Sequence, residues 1–262
     1  MLVVITKSGI TILYNFPMRF SLNKNNKFLI ILMYYNRPEG LIRALESIRN
    51  QSHSNWHVAF IDDGSDLAGE DIMKDYFTEE ELSKVTFYNT NDTRKIKKER
   101  ALSHKHLLGF DDRHSGMWLN PMFNKSVREN KHDVALFLCD DDLLQEHYLF
   151  NLNKFYNENP GTEYSYSLVI LFDEKHHNWK DMTEVRNRFF CMDSIHPFFR
   201  LDTSQVSWRS SVYLQDNVWF DEEYNVYFDA FWYKKLFEKY GPCCFNRIIG
   251  QYKNFDKDCF NL

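Results

Sequence analysis

The stretch Phe28–Asp66, FLIILMYYNRPEGLIRALESIRNQSHSNWHVAFIDDGSD, decides the fold. It opens on an apolar run, Phe28–Tyr35, that stops at Asn36-Arg37-Pro38, and a second run, His57–Ile61, stops at Asp62-Asp63-Gly64-Ser65. Short runs that stay apolar at successive positions predict strands buried on both faces. Between them, Leu41, Leu45 and Ile48 recur at helical spacing, Pro38 suits a first helical turn, and the pattern ends before Gln51–Asn55. Strand, helix and strand in this order are the βαβ unit of a parallel sheet with helices on both sides. The expected fold class is therefore α/β.

Moving outward, Val134–Leu138 and Tyr166–Phe172 read as further strands, with Val85–Tyr88 a shorter fifth. The segment Leu143–Asn159 reads as a helix ended by Pro160-Gly161, and Tyr227–Gly241 as another, with Gly241 at its C-terminal end. Residues 1–27 form an N-terminal extension that reads as a hairpin turning at Lys7-Ser8-Gly9, without the basic start and small-residue cleavage site of a signal peptide. The charged, histidine-rich segment Asn91–Met117 is long for a connection and is a candidate lid or substrate loop. With no repeat or low-complexity linker, one domain over residues 1–262 is expected.

Composition narrows the function class. The 262 residues are 44% hydrophobic, and the formal net charge of −5 offers no basic footprint for nucleic acid or an anionic membrane. The five cysteines (Cys139, Cys191, Cys243, Cys244, Cys259) contain no CxxC pair, so reduced thiols in a cytoplasmic protein are expected rather than zinc or disulfides. No apolar stretch reaches the roughly 18 residues of a transmembrane helix.

The chemistry lies at the strand ends. In open parallel sheets, ligands bind beyond the carboxyl ends of the strands. Asp62, Asp63, Asp140, Asp141 and Asp142 all fall there, beside Tyr34 and Tyr35. Like charges so close repel, and a hard divalent ion shared with a phosphorylated substrate would offset them. An isolated IDDGSD is more often an ordinary Asx-capped turn than a site, so the separate motifs must be weighed together. A P-loop is excluded because no GxxxxGK[ST] exists, and no GxGxxG signals a standard dinucleotide fold. Phospho-acceptor receiver domains, which also carry an aspartate pair after a strand, are much shorter.

These motifs resemble family 2 glycosyltransferases with the GT-A fold. The likeness rests on the Tyr35-Asn36-Arg37-Pro38 turn, on Leu41, Ala44-Leu45, Ser47-Ile48, Gln51 and Asn55-Trp56, and on Asp62-Asp63-Gly64-Ser65. It continues through FNKSVRENKHDVALFLCDDDLLQEHYL, similar to the segment bearing the family's DxD-type motif, and through VWFDEEYNVYFDAFWYKKL, similar to the segment bearing its catalytic base. The resemblance implies a mostly parallel twisted sheet flanked by helices, with a Rossmann-like nucleotide-sugar half over 28–142 and an acceptor half over 143–262. It implies a metal-dependent, inverting transfer from a nucleotide diphosphate sugar, expected to be a UDP-sugar, to a hydroxyl of a glycan, lipid-linked or protein acceptor. Mn²⁺ or Mg²⁺ is the implied cofactor.

Residue by residue, the resemblance places Tyr35 against the base, Asp63 as acceptor for its ring N–H and Asp62 as support for the turn. Met33, Arg37, Asp140, Asp141 and Arg100 are the other implied donor-site residues. The register of the acidic triplet stays open: Cys139 stands in the first position of Asp-x-Asp-Asp, or Asp140 and Asp142 form the DxD directly. In either register Asp142 is implied as metal ligand, with Asp140 beside it. Asp229 is implied as general base, against the plain reading of an acidic residue at a helix start. Asp202, Gln205 and Trp208 are candidates for the acceptor pocket.

Lys97, Lys98 and Arg100 read more simply as a solvated charge run than as a diphosphate arm. Asn124, at a position where the family often has asparagine, reads equally as a helix-packing residue. His104, His106, His176 and His177 read as solvated rather than metal-ligating. Phe228, Phe231, Trp232 and Phe237 read as core at helical spacing. Two rival functions remain open at this stage. One is a sugar-nucleotide-binding or scaffold protein with a degenerate site, suggested by Cys139. The other is a sugar nucleotidyltransferase, which would want a glycine-rich basic loop after the first strand.

Overall fold

The computed structural model of the chain describes residues 2–6, 9–13, 24–92, 95–96, 99, 119–172, 201–221 and 228–254. Leu2–Thr6 (β1) and Gly9–Leu13 (β2) pair antiparallel as a two-stranded sheet. An eight-stranded sheet carries the rest: Phe28–Tyr34 (β3), Trp56–Asp62 (β4), Val85–Asn89 (β5), Val134–Cys139 (β6), Leu143–Leu144 (β7), Tyr164–Phe172 (β8), Val206–Arg209 (β9) and Cys244–Asn254 (β10). Its order is β5-β4-β3-β6-β9-β8-β10-β7. The block β5-β4-β3-β6 is parallel, β9 runs antiparallel to both β6 and β8, and β10 runs parallel to β8.

Alternation along the strands sorts the core into two layers. Leu29 and Ile31 of β3 with Ala59 and Ile61 of β4 and Ala135 and Phe137 of β6 face one cluster. Phe28, Ile30, Leu32 and Tyr34 with Val58, Phe60, Leu136 and Leu138 face the other. Helix α1 (Pro38–Arg49) covers this second layer with Gly40, Leu41, Ala44, Leu45 and Ile48. Burying its leucines and isoleucine contributes roughly 1.5–3 kcal/mol each. Helices α2 (Gly69–Tyr76), α3 (Glu79–Leu82), α4 (Asn120–Glu129), α5 (Tyr148–Glu158), α6 (Ser211–Leu214) and α7 (Phe228–Tyr240) complete the flanks. An α/β fold with a mostly parallel sheet between helices is thus observed.

From β3 the chain crosses to β4 and β5 on one side and later to β6 on the other. That reversal opens a crevice at the carboxyl ends of β3, β4 and β6, where the acidic turns sit.

The expected helix over Leu143–Asn159 starts five residues later, at Tyr148. Leu143 and Leu144 instead pair with Tyr252 and Gln251 of β10, because a tertiary strand partner outweighs local helix preference. Strand β10, helix α2 and helix α3 were not expected. No helix among the described residues is long and apolar enough to cross a membrane.

Candidate active site

Two strand-end turns lock together first. Asn36 takes a left-handed backbone (φ +52°). Its N–H donates to Ser65 Oγ (3.1 Å), and its side-chain oxygen accepts from Asp66 N–H (2.8 Å). Asp62 is buried, and both its oxygens accept backbone N–H groups, from Ser65 (2.8 Å) and from Gly69 at the start of α2 (2.9 Å). Asp62 therefore shapes the turn that presents Asp63. Gly64 sits at φ +68°, and a Cβ there would lie 2.1 Å from the Asp92 carbonyl oxygen, so only glycine fits. Asp63, also buried, anchors its N–H on the Tyr34 carbonyl (3.0 Å), and the Thr90 hydroxyl donates to its Oδ1 (3.4 Å). The Tyr34 hydroxyl is pushed up to about 12 by burial, with Asp62 and Asp140 adding to the shift.

The acidic triplet divides its work. Asp140 is spent on the fold: Tyr35 N–H donates to Oδ2 (2.8 Å) and Arg37 Nη1 to Oδ1 (3.1 Å). Arg37 also reaches Asp141 Oδ2 (3.1 Å), and the two aspartates hold its pKa up against burial. Helix α1 presses on this loop so closely that a Cβ on Gly40 would stand 2.5 Å from the Asp140 carbonyl oxygen. Burial pushes Asp140 up to about 6, against the pull of Arg37. Tyr35 and Met33 at this edge are half-buried.

Asp142 is only 1% exposed, and its Oδ1 accepts from Asn254 N–H (2.9 Å). Its Oδ2 is buried and accepts no hydrogen bond, with Lys253 Nζ at 3.6 Å. Burial raises Asp142 to about 7, opposed by Lys253 and reinforced by Asp141 and Asp202. Ligand atoms of Cys139, Asp141 and Asp142 lie within 4.8 Å of one another. Two carboxylates and an orphaned buried oxygen suit a hard divalent cation. The Cys139 thiol, raised by burial and by Asp142, contributes as a neutral neighbour.

The acceptor-side candidates cluster around a short 3₁₀ turn, Thr203–Gln205. Asp202 caps it, accepting from Ser204 N–H (3.0 Å) and Ser204 Oγ (2.7 Å), and Asp202 N–H in turn donates to Gln205 Oε1 (3.1 Å). Asp229, in the first turn of α7, accepts from the Thr203 hydroxyl (3.0 Å) and from Ala230 N–H (2.7 Å). Burial and the nearby Asp202 raise Asp229 to about 6. A carboxyl with that value is half ionised near pH 6 and mostly ionised at neutrality, the form a general base requires.

Trp208 is fully buried, packed among Phe137, Tyr213 and Trp232. Gln205 is buried too and donates to the Ser167 carbonyl (3.0 Å), which makes it a strut of the turn. Asn124 is a packing residue, tying α4 to Phe220 through its side-chain oxygen and amide (3.1 and 3.0 Å). Arg100, Lys97, Lys98, His104, His106, His176, His177 and the Phe228 side chain lie outside the described residues. Lys253 was missed by reading the sequence, since a lysine in a strand near the end of the chain carries no motif.

With this geometry in view, the comparisons are consistent. Residues 29–104 match the model of glycosyl transferase family 2. Over that segment the chain is similar to that family. It is 24% identical over 207 residues to the teichoic acid poly(glycerol phosphate) polymerase of Staphylococcus epidermidis, covering 78% of this chain and 25% of that protein. It is 26% identical over 153 residues to an uncharacterised glycosyltransferase of Acanthamoeba polyphaga mimivirus, covering 54% of this chain and 55% of that one. The chain thus spans a quarter and about half the length of these two curated relatives. Among solved structures, S. aureus TarS in complex with UDP superposes with a TM-score of 0.63 at 14% identity, over 89% of this chain and 62% of that one. The mannosyltransferase PcManGT from Pyrobaculum calidifontis, in complex with GDP-Man and Mn²⁺, gives a TM-score of 0.54 at 11% identity, over 86% and 56%. Both likenesses concern the fold, and they identify it as the GT-A type.

Proposed function

We propose that the chain is an inverting glycosyltransferase that moves a sugar from a nucleotide diphosphate sugar, a UDP-sugar, onto an acceptor hydroxyl. The observation that carries this reading is the convergence of three acidic motifs, around Asp63, Asp142 and Asp229, on the carboxyl edge of the sheet. The UDP and UDP-GlcNAc complexes of the TarS fold relatives support a uridine donor. In this reading residues 28–142 form the donor half and residues 143–262 the acceptor half of one domain.

Tyr35 and Asp63 would bind the base from two sides, with Met33 beside them and Asp62 holding the turn. Arg37 and Asp140 fix the loop, and Asp141 with Asp142 would hold Mn²⁺ or Mg²⁺, which would neutralise charge on the departing diphosphate. Asp229 accepts the proton of the acceptor hydroxyl as its oxygen bonds to the anomeric carbon. The bond from that carbon to the nucleotide diphosphate breaks on the opposite face, inverting the centre. Burial of Asp229 supports the assignment, because it brings an otherwise weak carboxylate base close to working pH.

The test is UDP release from a panel of UDP-sugars, with and without Mn²⁺, together with thermal shifts by the same ligands. A ligand at 100 times its dissociation constant should add about 2.7 kcal/mol to stability. A UDP-specific, Mn²⁺-dependent shift lost in Asp142→Ala supports the reading, and a folded protein that responds to no nucleotide sinks it. Cys139 in the acidic cluster favours one rival, a sugar-nucleotide-binding protein without transfer. UDP binding without turnover of any donor would select it.

A further inference from the structure

The acidic edge contains one cation whose position no motif explains. Strand β10 ends in Lys253 and Asn254, and these two neighbours grip the same carboxylate: Asn254 N–H donates to Asp142 Oδ1 (2.9 Å), and Lys253 Nζ lies 3.6 Å from Asp142 Oδ2. The same ammonium makes a shorter pair, 2.9 Å, with Asp202 Oδ1. Its side chain is 18% exposed, and the carboxylates on either side are 1% and 19% exposed. Arg37 is committed to Asp140 and Asp141 on the far side of the loop.

Resting on the transferase reading above, we propose that Lys253 is a positioning residue for the general base, clamping the acceptor-side carboxylate Asp202 to the donor-side carboxylate Asp142. The path from lysine to base is short. Asp202 caps the turn Thr203–Gln205 through Ser204, and the Thr203 hydroxyl in that turn donates to Asp229 Oδ2 (3.0 Å). Holding Asp202 fixes the turn, and the turn fixes Asp229. The clamp also neutralises a charge beside the base. Among the described residues, the groups facing Asp229 are Asp202 and Thr203 of the turn, and Ala230 and Tyr233 of its own helix, whose Tyr233 hydroxyl donates to the Asp202 carbonyl (3.4 Å). Among these, Asp202 is the only other carboxylate, and Lys253 is its ion-pair partner.

The two pairs join parts of the chain far apart in sequence: β10 to the loop after β6, and β10 to the turn before β9. A lysine that touches both carboxylates registers the halves on which donor and acceptor would sit. It does so 3.6 Å from the carboxylate oxygen that would carry the metal. Removing it leaves the buried Asp142 and the half-buried Asp202 without their shared cation, the situation in which breaking an ion pair costs more than the pair contributes.

The test uses the full chain with Lys253→Met, Lys253→Arg, Asp202→Asn and the double variant Lys253→Met/Asp202→Asn. Each is melted without added metal, and kcat and KM for the donor are followed against pH. Lys253→Met should lower kcat about tenfold or more while the donor KM changes less than about threefold, since Asp142 keeps its bond from Asn254 N–H whereas the Asp202 pair is lost outright. Its acidic limb should move to higher pH, and Lys253→Arg should restore both. In the melts, adding Asp202→Asn to Lys253→Met should recover part of the lost stability, a non-additivity that marks a real charge pair. If Lys253→Met does not fold, the double variant still reports: recovery of folding supports the clamp, and none overturns it. A Lys253→Met enzyme with wild-type kcat and pH limb also overturns the clamp, as does an arginine that rescues nothing. A folded wild-type protein that transfers no sugar overturns the transferase reading and this proposal together. An active wild type with an indifferent Lys253→Met removes the lysine proposal alone.

Discussion

Replacing Asp62 by alanine tests the division of labour between the two adjacent aspartates. Asp62 is buried and accepts from the backbone N–H groups of half-buried Ser65 (2.8 Å) and buried Gly69 (2.9 Å), so truncation orphans two donors, the second of them away from solvent. Each lost bond to a charged acceptor costs roughly 1–3 kcal/mol, which puts the variant roughly 2–6 kcal/mol below wild type. At about 2–4 °C per kcal/mol for a chain of this size, the melting temperature should fall by about 4–24 °C. Asp62→Asn keeps one acceptor oxygen and should lose about half as much. Calorimetry or circular dichroism with reversible refolding measures both. Because the same turn presents Asp63, UDP affinity should fall as well, even at a temperature where the variant is fully folded. An Asp62→Ala protein that melts within about 1 °C of wild type and binds UDP unchanged would refute the view that Asp62 builds the turn.

Three more expectations follow from the geometry. Gly64→Ala must take a left-handed backbone and place a Cβ 2.1 Å from the Asp92 carbonyl, so it should lose several degrees of stability, and UDP binding with it, by thermal shift. Asp142→Ala should abolish Mn²⁺ binding measured by calorimetry and make UDP binding insensitive to EDTA, whereas Asp140→Asn should chiefly loosen the loop that Arg37 holds. Asp229, whose folded value of about 6 lies above the ordinary carboxyl value of 3.8, binds its proton more tightly in the native state. Its contribution is therefore full below the unfolded value and is lost as pH rises from about 4 through about 6. Asp229→Asn should then melt a few degrees above wild type at pH 8 and alike near pH 4, while transfer, which in wild type rises through a limb near pH 6, disappears.

The parallel core was legible because its signals are local. Phe28–Tyr34 and Trp56–Asp62 stay apolar along their length since helices cover both faces, and α1 shows its buried stripe at a plain helical period. Strand β10 was not legible for an equally physical reason. Its residues alternate irregularly, Arg247 sits at φ +61°, and the register with β8 slips twice between Phe245 and Gln251. A strand that bulges carries no clean period of two. Leu143 and Leu144 look helical until β10 is placed beside them, so missing one strand moved the boundary of the next helix as well.

The site divides in the same way. That acidic groups would gather at this edge followed from strand order, because residues that end neighbouring parallel strands must converge. Which carboxylate would do what did not follow. Asp62 and Asp63 are adjacent and chemically identical, and so are Asp140, Asp141 and Asp142. Their roles separate only through partners supplied from elsewhere in the chain: Gly69 for Asp62, Tyr35 and Arg37 for Asp140, Asn254 and Lys253 for Asp142. The most consequential partner, Lys253, lies 111 residues from Asp142 and 51 from Asp202 in the sequence. A motif records what a segment contributes, whereas the ionisation and orientation of a carboxylate are set by whatever the fold brings against it. Which aspartate of CDDD meets β10 was therefore not readable from those four residues, because the strand that grips Asp142 lies elsewhere in the chain.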